Sequence, residues 1–356
     1  MAGNALSRRC LLFTLLMVLT THATTGVAAE MTKFEWKATE SGPRYYPMEI
    51  ISGNLEYHDG SGATYVPNGS LLNHGWGKGV SSHVIGDGIN INPLPNRLTI
   101  SFFSYTDNQF YRGDFELPYE KILGLFQAGF YSPNQEGEIS YRKIVVGVAP
   151  GGVVAVWLWG IEKNTEVFFG QAEKVDIPWS RFLNETHISR EEFVQKVIKG
   201  SLETPERIEA LRKNGVPVGL WERYRTRYPW QPFFTGMKLM KDAGIQEIHY
   251  FNGERDYFHF PLSKEIAESR RAVPSFMRVY WDNPNGRNQA FLLNFDEAEI
   301  ISAFQTLGKS GLPITFEFSM RRDEDGVRRL HFIVHTEKER VILKKTALKA
   351  FGAKDK

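Results

Sequence analysis

Most apolar residues of this chain fall in short runs separated by turn-forming residues rather than at long helical spacing, and that pattern predicts strands. Glu49 to Tyr57 reads as a strand closed by His58-Asp59-Gly60, and Arg97 to Tyr105 alternates Leu98, Ile100 and Phe102 with Thr99, Ser101 and Phe103. Gln109 to Leu117 pairs with it as a hairpin. From Tyr119 the period changes: Ile122, Leu123, Leu125 and Phe126 share one helical face, and Gly129 suits the helix end. Ala149-Pro150-Gly151-Gly152 then joins two strands by a type II turn, where proline presets φ and glycine accepts a positive φ. Val153 to Trp159 is apolar at both alternating sets of positions, which predicts a central strand covered on two sides. Glu166 to Ala172 adds a third strand.

The order then repeats. Phe276 to Trp281 is a strand, Asn283-Pro284-Asn285-Gly286 a turn, Asn288 to Phe295 a strand and Asp296 to Leu307 a helix. Two strands follow around Asp325-Gly326, then Arg340 to Ala347. The helical segments at 121–127 and 299–305 match in pattern, so an internal duplication is expected, against chance recurrence of a common order. The expected fold class is α+β: two similar antiparallel-sheet domains, each with one packed helix. Between them, Ser189-Arg190-Glu191-Glu192 starts a helix with a capping box, and Thr204-Pro205-Glu206 starts a second that Asn214-Gly215 ends. The expected boundaries are a leader at 1–29, an N-terminal domain at 30–178, a helical and aromatic, arginine-rich connector at 179–235, a C-terminal domain at 236–350 and a tail at 351–356.

The leader carries Arg8-Arg9, an apolar run from Leu11 to Leu19 and small residues ending Val27-Ala28-Ala29, the three parts of an export signal cleaved after Ala29. Thr20, Thr21 and His22 interrupt the run before it reaches the roughly 20 apolar residues of a membrane span. An uncleaved anchor is the minority reading. The general and twin-arginine export routes both stay open. A periplasmic location follows, with no transmembrane span in the mature chain.

Cleavage changes the composition. The chain has 43 Lys and Arg, 41 Asp and Glu and one cysteine, Cys10. Arg8, Arg9 and Cys10 leave with the leader, so the mature protein is formally neutral and has no thiol. That excludes disulfides and thiolate metal sites, and it removes the cationic footprint that nucleic-acid binding needs. No cofactor is expected.

Two stretches carry candidate binding residues. In His74-Gly75-Trp76-Gly77-Lys78-Gly79, Trp76 could stack on a ligand and Lys78 meet an anion, or the stretch is a tight surface loop with one packed tryptophan. Gly219 to Trp230 interleaves aromatics and arginines, with Trp221, Arg223, Tyr224, Arg225 and Trp230 as candidates. That composition suits a protein contact and equally suits packing between domains, with arginine stems over aromatic faces. His331 and His335 share a strand face about 13 Å apart, too far for one ion. His249 and His259 flank the turn at 252–256 and could approach across it. Glu254 and Asp256 could form an acid and base pair, but sequence gives no separation. No Gly-x-Ser-x-Gly elbow is present, and Ser52, Ser70 and Ser104 have no triad context. No catalytic or metal residue is assigned.

Tyr45-Tyr46-Pro47-Met48-Glu49-Ile50, Gly75-Trp76-Gly77, Leu94-Pro95, Gly147-Val148-Ala149-Pro150-Gly151-Gly152 and Phe168-Phe169-Gly170-Gln171-Ala172 together resemble the bacterial domain-of-unknown-function family 2931. The resemblance is strongest from Tyr45 to Lys174; the stretches 219–230 and 250–256 resemble its longer members. It implies an envelope protein of Gram-negative bacteria, many members being lipoproteins, although Cys10 is not in a lipobox. It also implies a setting beside antibacterial lipases of the type VI secretion system, which an immunity protein fits. The expected function is therefore non-enzymatic binding of an envelope protein partner, its sharpest form being toxin neutralisation. An envelope hydrolase or glycan-binding protein with its site between the two domains is the competing class. If the leader is read correctly, N-terminal sequencing of the exported protein gives Glu30 as the first residue; a retained Met1 would contradict it.

Overall fold

The computed structural model describes residues 32–352 except 82–90, 133–134, 184–187, 218, 237, 240–244, 259–261, 263 and 283–287. The leader, Cys10, His259 and the turn at 283–286 therefore lie outside the described residues.

In the first half, β1 (Lys37–Ser41), β2 (Met48–Tyr57), β3 (Pro95–Ser104) and β4 (Gln109–Glu116) precede α1 (Tyr119–Ala128). After the helix come β5 (Lys143–Ala149), β6 (Val153–Trp159), β7 (Asn164–Gln171) and β8 (Glu173–Val175). Two helices follow, α2 (Arg190–Leu202) and α3 (Pro205–Asn214), then the short α4 (Leu220–Tyr224). The second half contains β9 (Tyr228–Thr235), β10 (Ile245–Tyr250), β11 (Arg255–Asp256), β12 (Pro274–Asp282), β13 (Asn288–Asn294) and α5 (Glu297–Gly308). It ends with β14 (Ile314–Arg322), β15 (Arg328–His335), β16 (Arg340–Leu343) and β17 (Ala347–Gly352).

The fold is α+β, and each half is built on two main sheets rather than the single sheet expected from sequence, the first half adding two small two-stranded ribbons. In the first half one sheet runs β8-β4-β3-β2 and the other β1-β5-β6-β7; in the second they run β17-β13-β12-β10 and β9-β14-β15-β16. Position for position this is one strand order used twice. It includes a parallel pair in each half, β1 with β5 and β9 with β14, where an all-antiparallel arrangement was expected. The shared order is the structural feature that supports a duplication.

Local chemistry accounts for the element ends. Ser189 and Glu192 form the capping box of α2, Asp296 accepts the Glu299 amide at the start of α5, and Gly129 closes α1 at φ +60°. Gly151 sits at φ 79°, ψ 5°, the third position of a type II turn, so the β5–β6 hairpin forms as its sequence requires. Alternating residues of both sheets in the first half, with Ile122, Leu123 and Phe126 of α1, make its core. The second half repeats this with Ile300, Phe304 and Leu307 of α5.

Several strands were not read from sequence, and for β1 and β9 the physical reason is plain. β1 reads Lys-Ala-Thr-Glu-Ser, and buries Thr39, Glu40 and Ser41 without an apolar alternation. β9 contains Pro229 and Pro232, which cannot donate to a ladder; it tolerates them because beyond Pro229 it is paired on one side alone, with β14. The segment from Tyr228 on, read as connector, is thus a strand of the second half. The stretch 340–347, read as one strand, breaks after Leu343, and β17 crosses to the other sheet to pair with β13.

Candidate functional site

The halves meet where β7 pairs with β11 through Asn164 and Arg255, which fuses one sheet of each half into a continuous ten-stranded sheet. Directly beside this pairing, the 74–79 loop crosses the turn between β10 and β11, backbone against backbone. Gly77 has φ +74° and Gly253 φ +85°, and a Cβ on Gly253 would lie 2.9 Å from the Gly77 Cα. Glycine is required at both positions, by conformation and by proximity. The Asn164 side-chain amide donates to the carbonyls of Gly77 (3.1 Å) and Gly253 (2.6 Å), and the Trp157 indole donates to Asn252 O (3.2 Å).

Charged groups tie the connector across the same joint. Arg225 pairs with Glu166 on β7 and Arg227 with Glu254 in the turn, each at 2.6 Å. Glu254 also accepts the Glu166 amide (3.2 Å) and the Asn252 side chain (2.9 Å). Burial pushes the Glu166 carboxyl up, and Arg225 opposes that shift. Removing either arginine would leave a buried carboxylate without its counter-charge, the costly way to break such a pair.

Between the halves lies an open cleft of about 1220 Å³. Its first-half wall comprises the loop from Pro43 to Tyr46, the loop from His74 to Gly79, and residues of α3 and α4 including Arg207, Trp221 and Tyr224. Its second-half wall is formed by the segment around β10 and β11, with Phe276 and Arg278 of β12 and Glu297 of α5. Trp76 packs edge-on against Trp157 (4.8 Å) and lies 6.3 Å from Trp221, whose ring meets Tyr46 edge-on (5.6 Å). Tyr224 stacks on Phe251 (5.4 Å) and donates its hydroxyl to Glu297 (2.6 Å). Burial and that carboxylate hold the Tyr224 phenol well above its ordinary 10.

Tyr45 stands in the left-handed region at φ 70°, which costs a bulky residue about 1–3 kcal/mol. Asn73 holds it there: its side-chain oxygen accepts the Tyr45 amide (2.5 Å) while its amide donates to Ser201 O of α2 (3.0 Å). On the opposite wall Glu247 accepts from His249 (2.6 Å) and lies 3.5 Å from both Arg255 and Arg278. The His249 hydrogen bond outweighs burial and, with the surrounding cations, brings the Glu247 carboxyl down to about 2.

Of the residues singled out from sequence, Trp76, Lys78, Trp221 and Tyr224 meet at this cleft. Trp221 is nevertheless only 2 % exposed and serves the packing of the wall. Arg225 lies over the Phe169 ring (4.3 Å) in addition to its ion pair, and Arg223 is exposed. Trp230 faces away, 1 % exposed in the second-half core with its indole donating to Ala272 O (3.0 Å), so it presents nothing to a partner. Glu254 is spoken for as above, and Asp256 accepts from the Tyr250 hydroxyl (3.1 Å). His331 and His335 each face their own carboxylate, Asp323 (2.8 Å) and Glu317 (3.6 Å). Among the described residues no group of three histidines and carboxylates is placed to hold a metal ion, and no helix is long and apolar enough to cross a membrane.

A family model matches residues 23–219, more than half of the chain. The chain belongs to the DUF2931 family, described as proteins of unknown function. No curated protein and no solved structure matches it. The DUF2931 match covers the whole first half and α2 and α3, hence most of the first-half wall, and ends immediately before α4. Arg44, Tyr45, Asn164 and Arg207 were not singled out from sequence; Tyr45 alone carried a signal, as part of the Tyr45-Tyr46-Pro47 motif of the DUF2931 resemblance.

The depressed carboxyl of Glu247 makes part of the stability pH-dependent. Because its folded value lies near 2 and its ordinary value is 4.5, the unfolded chain takes up the proton first as pH falls. Its contribution is full above about pH 4.5 and is lost as the pH drops toward 2. Glu247→Gln is expected to flatten the acid limb of the stability profile in that window, measured by denaturant unfolding; an unchanged limb would show that the cluster contributes nothing.

Proposed function

We propose that this DUF2931 protein is a non-enzymatic binding protein of the periplasm, and that its cleft receives part of a protein partner. The observation that carries this is the state of the cleft carboxylates. A general acid or base works best with a pKa near the operating pH, whereas Glu247 is clamped by a hydrogen bond to His249 and by two arginines and brought down to about 2. Glu254 is occupied by Arg227 and Asn252, and Glu297 by Tyr224. Such fully engaged carboxylates favour a rigid recognition surface over the hydrolase alternative.

The leader supports export, and the sharpest form of the reading is an immunity protein that neutralises a secreted antibacterial lipase. Blocking an enzyme needs a preformed surface that does not reorganise on binding, and the glycine crossing, the bridging asparagine and the two arginine–glutamate pairs supply one. The test combines the purified protein with the secreted lipases of its own bacterium. The expected outcome is a stable complex with one of them and stoichiometric loss of its phospholipid hydrolysis. Full lipase activity in an excess of the protein, together with unaltered survival of a deletion strain beside lipase-producing neighbours, would reject the immunity form.

A further inference from the structure

We infer that the cleft recognises an acidic segment of its partner, held on the first-half wall by Arg44, Lys78 and Arg207; this deepens the binding reading above and rests on it. The aromatic rings of the cleft are largely used on one another or on cations. Trp76 abuts Trp157 and Trp221, Tyr224 is stacked on Phe251, Trp159 lies under Lys143 and Arg255, and Tyr45 lies under both Arg44 and Arg207. Few open ring faces are left for stacking a sugar. What the wall offers instead is charge. Arg44 and Arg207 share a single carboxylate, Glu203, at 3.3 and 3.8 Å, with all three side chains roughly half exposed.

Lys78 is exposed and makes no ion pair among the described residues. Two arginines against one glutamate, plus an unpaired lysine, leave this wall with a surplus of positive charge. On the opposite wall Glu247 is likewise shared between two arginines, Arg255 and Arg278. A cleft of about 1220 Å³ exceeds the usual size of a small-molecule pocket, which suits a stretch of polypeptide. Guanidinium forks match carboxylates in a bidentate geometry, and an acidic segment would complement the surplus while a basic one would be repelled.

The test is titration of the purified protein with a short poly-glutamate peptide, read by tryptophan fluorescence, since Trp76 and Trp221 line the cleft. Poly-lysine, inorganic phosphate and polygalacturonate are run beside it. We expect saturable binding of poly-glutamate that salt weakens and that falls about tenfold or more in Lys78→Glu/Arg207→Glu. Lys78→Glu alone, an exposed change with no partner to lose, is expected to weaken binding in the same direction. Arg321→Glu, on the exposed end of β14 outside the cleft, is expected to bind as the unaltered protein does. No binding of poly-glutamate, equal binding by the cleft variants, or tighter binding of phosphate or polygalacturonate would overturn the inference, the last assigning the cleft to a free anion or an acidic glycan. A lipase that is still captured and inhibited while poly-glutamate fails to bind would remove this inference and leave the binding function standing.

Discussion

The crossing of Gly77 over Gly253 is the contact on which the rest of the molecule depends. Two backbones approach to within the space of a missing methyl group, each in a conformation that side chains rarely adopt. Asn164 holds both carbonyls, and the same residue pairs β7 with β11. A single asparagine thus joins three things: the continuity of the ten-stranded sheet, the docking of the 74–79 loop and the position of the 252–254 turn. Because that loop and that turn are opposite walls of the cleft, the joint also sets its width.

Around this point the remaining interactions are arranged in shells of decreasing burial. Trp157, Trp76 and Trp221 fill the apolar volume behind the loop, so the outer face of β5 to β7 is covered as its all-apolar sequence demands. The Arg225–Glu166 and Arg227–Glu254 pairs sit at the edge of that volume. Their carboxylates are nearly buried and their guanidiniums about two-fifths exposed, so they constrain geometry more than they add stability. Furthest out are the exposed cations Arg44, Lys78 and Arg207. The resulting cleft is cross-braced at its base and charged at its rim, which is the order the proposed binding role would need: fixed walls reduce the entropy lost on binding, and surface charge discriminates between partners.

Sequence reasoning recovered the parts of this fold whose causes are local. The β5–β6 turn, the capping box of α2 and the amphipathic faces of α1 and α5 each rest on a few neighbouring residues, and all formed where expected. It missed β1 and β9, whose burial comes from a distant parallel neighbour and not from their own polar or proline-bearing sequences. The site followed the same division. Trp76, Lys78, Trp221 and Tyr224 were legible by composition, but Asn164 and Arg207 were not, since an isolated asparagine or arginine gives no sign of what will face it. Trp230, chosen on the same compositional ground as Trp221, points into a core because β9 carries it there. The repeated strand order was legible only around the helices at 121–127 and 299–305 and the strands that flank them; the repeat's first strands, β1 and β9, gave no matching pattern.

If the joint couples the two halves as described, neither half retains its native surroundings when the other unfolds, and the protein should melt as one unit. Differential scanning calorimetry of the purified protein tests this most directly. A single transition is expected, with a calorimetric enthalpy equal to the van't Hoff enthalpy. Two resolved transitions, or a calorimetric enthalpy well above the van't Hoff value, would mean that the halves fold independently and that the crossing of Gly77 and Gly253 does not hold the cleft together.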